Sequence, residues 1–385
     1  MNIFVIATTL QAGGGITIYK QFLSHLPKYI GQNKYWIFIN PVLPKVAIEG
    51  VTYISFPLQS KLKRILFEGK LLQNEIVKLG VKPDVVVSLQ NNGYKKIGGG
   101  KQIVYFHQSL PLYPGAYNPL KCTERMLFNY KHIFPRIVKR TWVKNTQFVV
   151  QTPIVKKRFV SYFNVPTENV RVCFPDVEKV DVTQCKTYNW EDNKKHFIFV
   201  GDDSKYRNGC TLAKAMGILS KQNPALAEDI KIHVTSSAEK APIMYNEVVK
   251  NGVDKNFVFE GIIKHDNLLS YYKSAAALVF PSSIETVGLP LLEAAAFGLP
   301  VLAADVDYAY EVLNGYDGVV YTDVYDYEAW AKNIVAFSIN HKRYKPLPQE
   351  RESDWGVFFD LIKPFFGQFC TWHFGHNDLT KVSNI

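Results

Sequence analysis

The sequence PSSIETVGLPLLEAAAFGLP, residues 281–300, decides how the rest of the chain is interpreted. Apolar runs precede and follow it, at residues 275–280 and 301–304, and each predicts a buried strand. Pro290 stands where proline is tolerated, at the start of a helix, and good helix formers follow it. Gly298 predicts the end of that helix, because glycine adopts the left-handed C-terminal conformation and the proline two residues later prevents continuation. The pattern is therefore strand, loop, short helix, strand.

Two carboxylates belong to the loop and helix of this stretch. Glu285 lies in the loop and Glu293 about one turn into the helix, with seven residues between them. The free backbone N–H groups around Gly288 and Leu289, together with the helix dipole, favour an anion such as a phosphate. Acceptors on both sides of an anion site suit a ligand that carries phosphate and hydroxyl groups. The alternative is an acidic residue that only stabilises the start of a helix.

The spacing Glu285-x7-Glu293, with a glycine and a proline inside it and the Gly-Leu-Pro exit, resembles the signature of retaining glycosyltransferases of family 4. The resemblance also covers the order of elements over almost the whole chain. It implies the GT-B fold, an α/β architecture of two Rossmann-like, doubly wound domains that face a central cleft. It assigns Glu285 to the hydroxyls of the donor sugar and Glu293 to the nucleotide ribose. Sugar and phosphate would be held by the loop amides of Val287, Gly288 and Leu289.

Length and element order predict two domains. The chain has 385 residues, more than one core usually holds, and 47% of them are hydrophobic, as in a globular protein. Two runs of alternating strands and helices, separated by a polar stretch at 176–193, indicate two doubly wound units. The expected units are an acceptor-binding, membrane-facing domain at 1–175 and a donor-binding domain at 194–345. Residues 350–366 resemble the terminal helix that returns to the first domain in this fold, and residues 367–385 give no readable pattern.

Cysteine usage and hydropathy limit where in the cell the protein is expected. The five cysteines are odd in number and have no C-x-x-C spacing, which fits a reducing compartment and no zinc site. The start of the chain lacks a basic region and predicts a strand rather than a signal peptide. No window of about 18 apolar residues occurs, so no membrane span is expected. We therefore expect a cytoplasmic protein.

Charge is divided between the two halves of the chain. Residues 1–175 hold 24 Lys and Arg against 6 Asp and Glu, a net charge of +18, whereas the remainder carries −7. Basic residues alternate with aromatic and aliphatic ones at 60–70 and 121–144, as in interfacial amphipathic segments. We expect peripheral attachment to an anionic surface, the inner face of the cell membrane, with Phe134 and Trp142 as apolar anchors. Nucleic acid is the competing polyanion, and it is disfavoured because no recognition motif occurs.

Two features of the first half are candidate site elements. Glycines follow the first strand at 13–15, as at the entry to a Rossmann-like unit, although the G-x-G-x-x-G spacing is absent and a plain flexible turn is the alternative. The resemblance implies that Gly14 and Gly15 border the phosphate and the acceptor. His107 ends the predicted strand 103–107, and the resemblance implies that it reaches the transferred sugar. A neutral imidazole there can hydrogen-bond a sugar hydroxyl without acting as a general base.

The loop 201–209 opens the second domain and is similar to the family's loop that brings an Arg and a Lys to the donor diphosphate. Arg207 takes the Lys position. Asp202 stands where the Arg usually is, a departure that removes one expected cation, and Lys205 is the candidate replacement. Two cations that neutralise a leaving diphosphate are what a metal-free enzyme needs. The alternative for both basic residues is solvated loop charge.

The remaining motifs concern the nucleotide base and metals. Residues 257–263 resemble the strand and loop that hold the base through backbone atoms near Gly261 and Ile262. The acidic pairs at 202–203 and 305–307 mimic a D-x-D metal motif, but that motif belongs to a different, single-domain transferase fold. Neither a metal nor another cofactor is therefore expected.

These features predict a retaining transferase that moves a hexose from a nucleotide-diphosphate sugar to a lipid-linked saccharide. A UDP-sugar is favoured as donor, with GDP- and dTDP-sugars as alternatives, and bacterial surface polysaccharide of the O-antigen or capsule type is the expected product. The expected catalytic residues are His107, Glu285 and Arg207. One alternative is a sugar-nucleotide epimerase or hydrolase of the same fold. The other is an inactive sugar-nucleotide-binding protein, for which Asp202 is the best argument.

Overall fold

A computed structural model describes residues 1–11, 14–56, 61–177, 179–340, 342–348 and 354–363, with only the backbone described for 61–69. Several predictions fall partly outside these residues. They concern the beginning of the glycine-rich turn, the side chains of the basic segment 60–70 apart from Lys70, and most of the stretch from 350 to 385.

The first sheet has seven parallel strands in the order β3-β2-β1-β4-β5-β6-β7. Val, Ile and Phe fill the central strands because helices cover both faces of a parallel sheet. The strands are β1 (Asn2–Ala7), β2 (Lys34–Ile39), β3 (Val51–Ser55), β4 (Val85–Ser88), β5 (Lys101–Tyr105), β6 (Gln147–Val150) and β7 (Val170–Val172).

The second sheet has six parallel strands in the order β10-β9-β8-β11-β12-β13. They are β8 (Lys195–Phe199), β9 (Ile230–Val234), β10 (Phe257–Phe259), β11 (Ala277–Phe280), β12 (Val301–Ala304) and β13 (Val319–Thr322). The strands predicted at 103–107, 275–280 and 301–304 lie within two residues of β5, β11 and β12, and the expected α/β architecture of two Rossmann-like sheets is confirmed.

Helices connect the strands on both faces of each sheet. In the first half they are α1 (Gly14–Tyr29), α2 (Lys61–Leu79), α3 (Cys122–Phe128), α4 (Phe134–Lys139) and α5 (Pro153–Phe163), with a π-helical turn, Asn129–Ile133, joining α3 to α4. In the second half they are α6 (Gly209–Gln222), α7 (Pro224–Glu228), α8 (Pro242–Lys250), α9 (His265–Ser274), α10 (Leu289–Ala296), α11 (Asp307–Val312), α12 (Tyr327–Ile339) and α13 (Trp355–Asp360).

Helix α13 lies far along the chain but packs on the first sheet. Trp355 is fully buried and its ring lies 6.0 Å from that of Tyr105 on β5. Phe359 stacks on Phe22 of α1 at 5.5 Å between ring centroids. Burial of these large aromatic rings, each worth about 1.5–3 kcal/mol, holds the end of the described chain against the first domain.

The order of the strands determines where the two sheets can bind a ligand. In each sheet the order reverses beside the first strand, between β1 and β4 and between β8 and β11. Loops that leave the carboxyl ends of strands at such a reversal form the usual ligand crevice of open α/β sheets. Here these are the loops after β1 and β4 in the first domain and after β8 and β11 in the second.

Candidate functional site

The loop after β11 leads directly into α10, as the sequence pattern predicts. Gly288 precedes the helix with a positive φ of 77°, and Pro290 occupies its first turn. A Cβ at Gly288 would lie 3.3 Å from the ring of Tyr308, so a larger residue would be both strained and crowded. The Tyr308 hydroxyl donates a hydrogen bond to the carbonyl of Ser282 at 2.6 Å. One buried tyrosine thus contacts both ends of the loop.

Arg207 and Glu285 form an ion pair within the second domain. Glu285 belongs to the loop after β11, and Arg207 to the loop after β8, so the pair joins the two loops at the strand reversal. Both side chains are largely buried, which strengthens the interaction between them relative to a surface pair.

Asn208 holds the same two loops together from the other side of Arg207. It adopts a left-handed conformation with φ of 53°, and its side-chain amide donates to the carbonyl of Pro281 at 3.0 Å. The same amide lies 3.2 Å from the hydroxyl of Ser283. The Arg207 side chain is therefore presented from a fixed backbone.

Glu293 lies on α10, one turn beyond the loop, as the sequence predicts. Its carboxylate accepts a hydrogen bond from the buried Tyr272 hydroxyl at 3.1 Å and lies 3.3 Å from Nε2 of His265. Burial, and to a smaller extent the nearby carboxylate of Glu293, raise the pKa of Tyr272, so this hydroxyl stays protonated and acts as a donor. The buried hydroxyl of Tyr272 thus orients the Glu293 carboxylate.

The acidic residues of the loop after β8 bond to backbone amides. Asp202 accepts from the N–H of Ser204 at 2.9 Å, and Asp203 accepts from the N–H groups of Ile243 and Met244, both at 2.8 Å, at the start of α8. Asp307, in the other acidic pair, forms an ion pair with Arg158. Among the residues that the structure describes, no three His, Cys, Asp or Glu side chains are grouped as metal ligands.

Lys205 extends from its loop towards the first domain. Its Nζ lies 3.2 Å from the carboxylate of Glu124 on α3, and 5.7 Å from the centre of the Tyr117 ring. Gly261 and Ile262 follow β10, the former with φ of 75° and the latter 83% exposed. This loop leaves backbone atoms accessible at the carboxyl end of the second sheet.

His107 follows β5 in the first domain, two residues beyond the last strand residue. Its Nε2 lies 3.2 Å from the carbonyl of Leu89, and its backbone N–H donates to the side chain of Asn91 at 2.7 Å. Burial lowers the pKa of His107 from its ordinary value of 6.5 to about 4. The imidazole is therefore neutral at physiological pH, and its one proton lies on Nε2, where it donates to the Leu89 carbonyl.

Gly15 is the glycine of the first loop that contacts this histidine. A Cβ at Gly15 would lie 3.4 Å from the His107 ring and only 2.9 Å from Leu10. A Cβ at Gly14 would meet no described atom within 4 Å. A side chain at Gly15 would thus push on His107 and Leu10. The glycine-rich turn lets the backbone of α1 approach the histidine.

Contacts across the cleft bring the two sets of loops together. The Ser109 hydroxyl, two residues after His107, donates to Thr286, the neighbour of Glu285, at 3.2 Å. At the side of the cleft, Arg158 of α5 pairs with Asp307 of α11. His107 and the Arg207–Glu285 pair therefore border one crevice between the sheets.

Three positioning residues were not predicted as site residues from the sequence: Asn91, Asn208 and Tyr308. Asn91 has a positive φ of 71° and begins the sequence Asn-Asn-Gly, three residues after the end of β4. Asparagine tolerates the left-handed region better than other non-glycine residues, so Asn-Asn-Gly and Asn208-Gly209 were available signals. Tyr308 gave no signal, because its contact with Ser282 joins residues 26 positions apart.

The fold and this site define a class of protein. The family model of Glycosyl transferases group 1 matches residues 183–351, a segment that contains all six strands of the second sheet. This segment is therefore similar to the glycosyl transferases group 1 domain, and the chain has the two-sheet GT-B fold.

Curated relatives carry names of the same kind. An uncharacterized glycosyltransferase of Methanocaldococcus jannaschii is 27% identical over 52% of this chain and 53% of its own length. The O-antigen chain mannosyltransferase RfbU of Salmonella typhimurium is 25% identical over 62% of this chain and 65% of its own length. The chain thus spans between about half and two thirds of the length of these relatives.

Solved structures share the fold over most of both chains. WaaG, a glycosyltransferase involved in lipopolysaccharide biosynthesis, is 15% identical with a TM-score of 0.62, over 88% of this chain and 91% of its own. HepE of Anabaena, in complex with UDP and glucose, is 14% identical with a TM-score of 0.59, over 88% and 90%. At such identities the likeness establishes the GT-B fold alone.

Proposed function

We propose that this chain is a retaining glycosyltransferase that moves a hexose from a nucleotide-diphosphate sugar, preferably a UDP-sugar, to a lipid-linked saccharide. The observation that carries the proposal is one crevice bordered by the Arg207–Glu285 pair, the amino end of α10 and the neutral His107. The group 1 domain match, and the names of the O-antigen and lipopolysaccharide enzymes it resembles, support a role in bacterial surface polysaccharide synthesis.

The donor diphosphate would bind where the second domain concentrates positive charge. Arg207 and the free amides at the start of α10, around Val287, Gly288 and Leu289, form an anion site without a metal. Arg207 bonds to Glu285 in the structure, and a phosphate would compete for the guanidinium. Glu285 would then accept hydrogen bonds from the sugar hydroxyls, while Glu293, held by Tyr272, would accept from the ribose.

Retention of configuration follows from a front-face displacement. The acceptor hydroxyl oxygen forms a bond to the anomeric carbon as the bond from that carbon to the diphosphate oxygen breaks. The departing phosphate oxygen takes the acceptor proton, so no protein group need act as base. Arg207 and the helix amides stabilise the charge that develops on the diphosphate, and His107, whose Nε2–H donates to the Leu89 carbonyl, would accept a hydrogen bond from a hydroxyl of the transferred sugar at its other ring nitrogen.

The exposed face of α3 and α4 supports attachment to an anionic membrane. Large apolar side chains project there into solvent, with Leu120 90% and Met126 59% exposed, and Tyr130 and Ile133 continue the stripe. Exposed cations flank them: Lys121, Arg125, Arg136, Lys139 and Arg140. Each cation near an anionic leaflet contributes about 1 kcal/mol. No helix in the described part of the chain has the length and hydropathy to cross a bilayer.

The structure corrects the apolar anchors expected in this segment. Trp142 packs inside the first domain, 4.5 Å from the ring of Phe148 and 4.8 Å from that of Phe163. Phe134 is half buried against Tyr130. The prediction failed because alternation of basic and apolar residues does not say which apolar residues face the core. Met126, Tyr130 and Ile133 are the residues that would enter the headgroup region.

Calorimetry with UDP, GDP and dTDP, followed by glycosyl transfer with the matching sugars, tests the proposal. We expect one nucleotide to bind and Arg207→Ala to weaken it by about 1.5–3 kcal/mol, the range for a hydrogen bond to a charged group. Lys221→Ala removes an exposed cation from the far end of α6 and is the matched control. A wild-type protein that binds none of the three nucleotides would contradict the proposal. Binding with hydrolysis or epimerisation but no transfer would favour the alternative activities on the same fold.

A further inference from the structure

A chain of four titratable side chains crosses one face of the second sheet, away from the Arg207–Glu285 pair. His196 Nε2 lies 2.7 Å from the carboxylate of Asp192, and His196 Nδ1 lies 2.9 Å from His233 Nε2. His233 Nδ1 in turn lies 2.6 Å from the carboxylate of Glu260. The order is carboxylate, imidazole, imidazole, carboxylate, and each contact is a short hydrogen bond.

The chain runs diagonally from the segment before the sheet to a loop at its carboxyl edge. His196 is near the start of β8, His233 is the fourth residue of β9, and Glu260 directly follows β10. Parallel pairing places Ile198 beside His233 and His233 beside Val258, so the side chains of His196, His233 and Glu260 share one face, and Asp192 reaches His196 from the segment before β8. Glu260 immediately precedes Gly261, the first residue of the candidate base-binding loop. The histidine pair therefore anchors that loop to the middle of the sheet.

Proton counting shows what these three contacts require. Each contact joins two heavy atoms that need one hydrogen between them, and ionised carboxylates only accept. Two neutral imidazoles supply two hydrogens, so one contact would hold two facing lone pairs. A third proton removes this conflict, and it belongs on the rings because imidazole is more basic than a carboxylate. The pair then carries one positive charge between two negative ones.

Neighbouring groups shift the pKa of the two histidines in opposite directions. The pKa of both His196 and His233 is lowered from its ordinary value, chiefly by burial and further by the charge of Lys231, while the hydrogen bonds to Asp192 and Glu260 act to raise it. Trp190 lies flat on His196, with 4.1 Å between ring centroids and 6° between planes, and 4.4 Å from His233. Tyr271 closes the other side, 5.6 Å from His233. A tryptophan face stacked on the pair favours its cationic form.

We propose that His196 and His233 together retain one extra proton, and that this proton ties His233, and with it Glu260, to His196 and so positions the Gly261–Ile262 loop for the nucleotide base. The part that concerns the base rests on the function proposed above. Glu260 and the two histidines are positioning residues, since they act through the loop. Loss of the shared proton as pH rises would leave Nδ1 of His196 and Nε2 of His233 as two facing lone pairs, since each ring keeps its hydrogen towards its carboxylate. The two rings would then separate, and Glu260 and the loop would shift with His233.

Imidazole-nitrogen NMR of the full-length protein, with isotope-labelled histidine, tests the proton count directly. We expect three protonated nitrogens in the pair at neutral pH, and amide resonances of Gly261 and Ile262 that titrate with the same midpoint as the rings. His233→Gln should remove that titration from the loop amides. Two neutral imidazoles at neutral pH, or loop amides that ignore the ring titration, would overturn the proposal whether or not any nucleotide binds.

Calorimetry with UDP between about pH 5.5 and 8.5 then connects the loop to the ligand. The proton favours the ordered loop, so affinity should be highest at the acid end and fall as pH rises through the ring titration. His233→Gln should bind UDP about threefold to tenfold more weakly at the acid end and lose this pH dependence. His25→Gln is the control, because His25 also bonds a carboxylate, Asp176, at 2.6 Å but lies in the first domain.

The two proposals fail in different ways in this experiment. If UDP, GDP and dTDP all fail to bind the wild type, the glycosyltransferase function is contradicted, and the NMR titration still decides the proton count. If UDP binds equally well to wild type and His233→Gln at every pH, the positioning role is overturned while the transferase function stands.

Discussion

Replacing Tyr308 with Phe removes one hydroxyl and leaves the ring that packs on Gly288. That hydroxyl is buried and donates to the carbonyl of Ser282 at 2.6 Å, at the beginning of the loop that ends at Gly288. The substitution therefore leaves the Ser282 carbonyl without this donor in a dry environment. A buried group left unpaired in this way costs about 1–3 kcal/mol.

The second domain offers a matched control for this variant. The Tyr316 hydroxyl is also buried and donates to the carbonyl of Leu299 at 2.7 Å, just beyond the far end of α10. Tyr316→Phe should therefore lower stability by about the same amount, 1–3 kcal/mol. The two variants differ in which loop loses its support, the proposed donor loop before α10 or the turn after it.

Urea unfolding and calorimetry with UDP separate the two effects. Both variants should unfold at lower urea concentration than the wild type. Only Tyr308→Phe should bind UDP more weakly, by about threefold to tenfold, since a looser loop presents the amides before α10 less well. Equal UDP affinities for the two variants would refute the idea that Tyr308 positions the donor loop. Unchanged stability in both would refute the energetic argument itself.

Four further outcomes are expected. Glu293→Ala should weaken nucleotide diphosphate binding by about 1.5–3 kcal/mol in calorimetry, and unchanged binding would remove Glu293 from the ribose site. Transfer should survive EDTA, and an activity lost in chelator and restored by manganese would refute the metal-free mechanism. Because the pKa of His107 is lowered to about 4 in the folded protein, protonation of this ring favours the unfolded chain. The free energy of unfolding should therefore fall as pH falls from about 6.5 towards 4. Urea titrations of His107→Gln should lack this contribution. Replacing Arg125, Arg136 and Arg140 with Gln should weaken binding to anionic vesicles by about 3 kcal/mol in sedimentation, without changing UDP affinity. The same change at Lys20, Lys28 and Lys34 is the control and should not weaken vesicle binding. Equal binding to neutral and anionic vesicles would contradict the membrane role.

Most of the fold could be predicted because the strands of a parallel sheet have a recognisable local sequence pattern. Each buried strand is a short apolar run bounded by turn residues, and the run predicted at 301–304 has the observed limits of β12. The helix from Leu289 to Ala296 could be placed by its proline and by Gly298, which adopts the left-handed conformation with φ of 63°. These signals depend on neighbours in sequence, and so they survive without knowledge of the tertiary structure.

The partners of the site residues could not be predicted, because they come from distant parts of the chain. Glu285 meets Arg207, 78 positions earlier, and Lys205 meets Glu124 across the cleft. The local sequence around each of these residues does not indicate which residue it contacts. The same limit explains the wrong expectation for Trp142, whose burial depends on how α5 crosses β6.

The acid at position 202 is the feature that most favours an inactive binding protein, and its surroundings weaken that interpretation. Asp202 is exposed and turned to the N–H of Ser204, and Asp203 accepts two amides at the start of α8, so both acids bond to backbone. The two cations of the same loop behave differently, since Arg207 contacts Glu285 and Lys205 contacts Glu124, both at the cleft. The loop therefore directs its positive charge towards the crevice and its negative charge into local hydrogen bonds. Glu285 also keeps the largely buried guanidinium of Arg207 paired at the crevice, which avoids the cost of an unpaired buried charge.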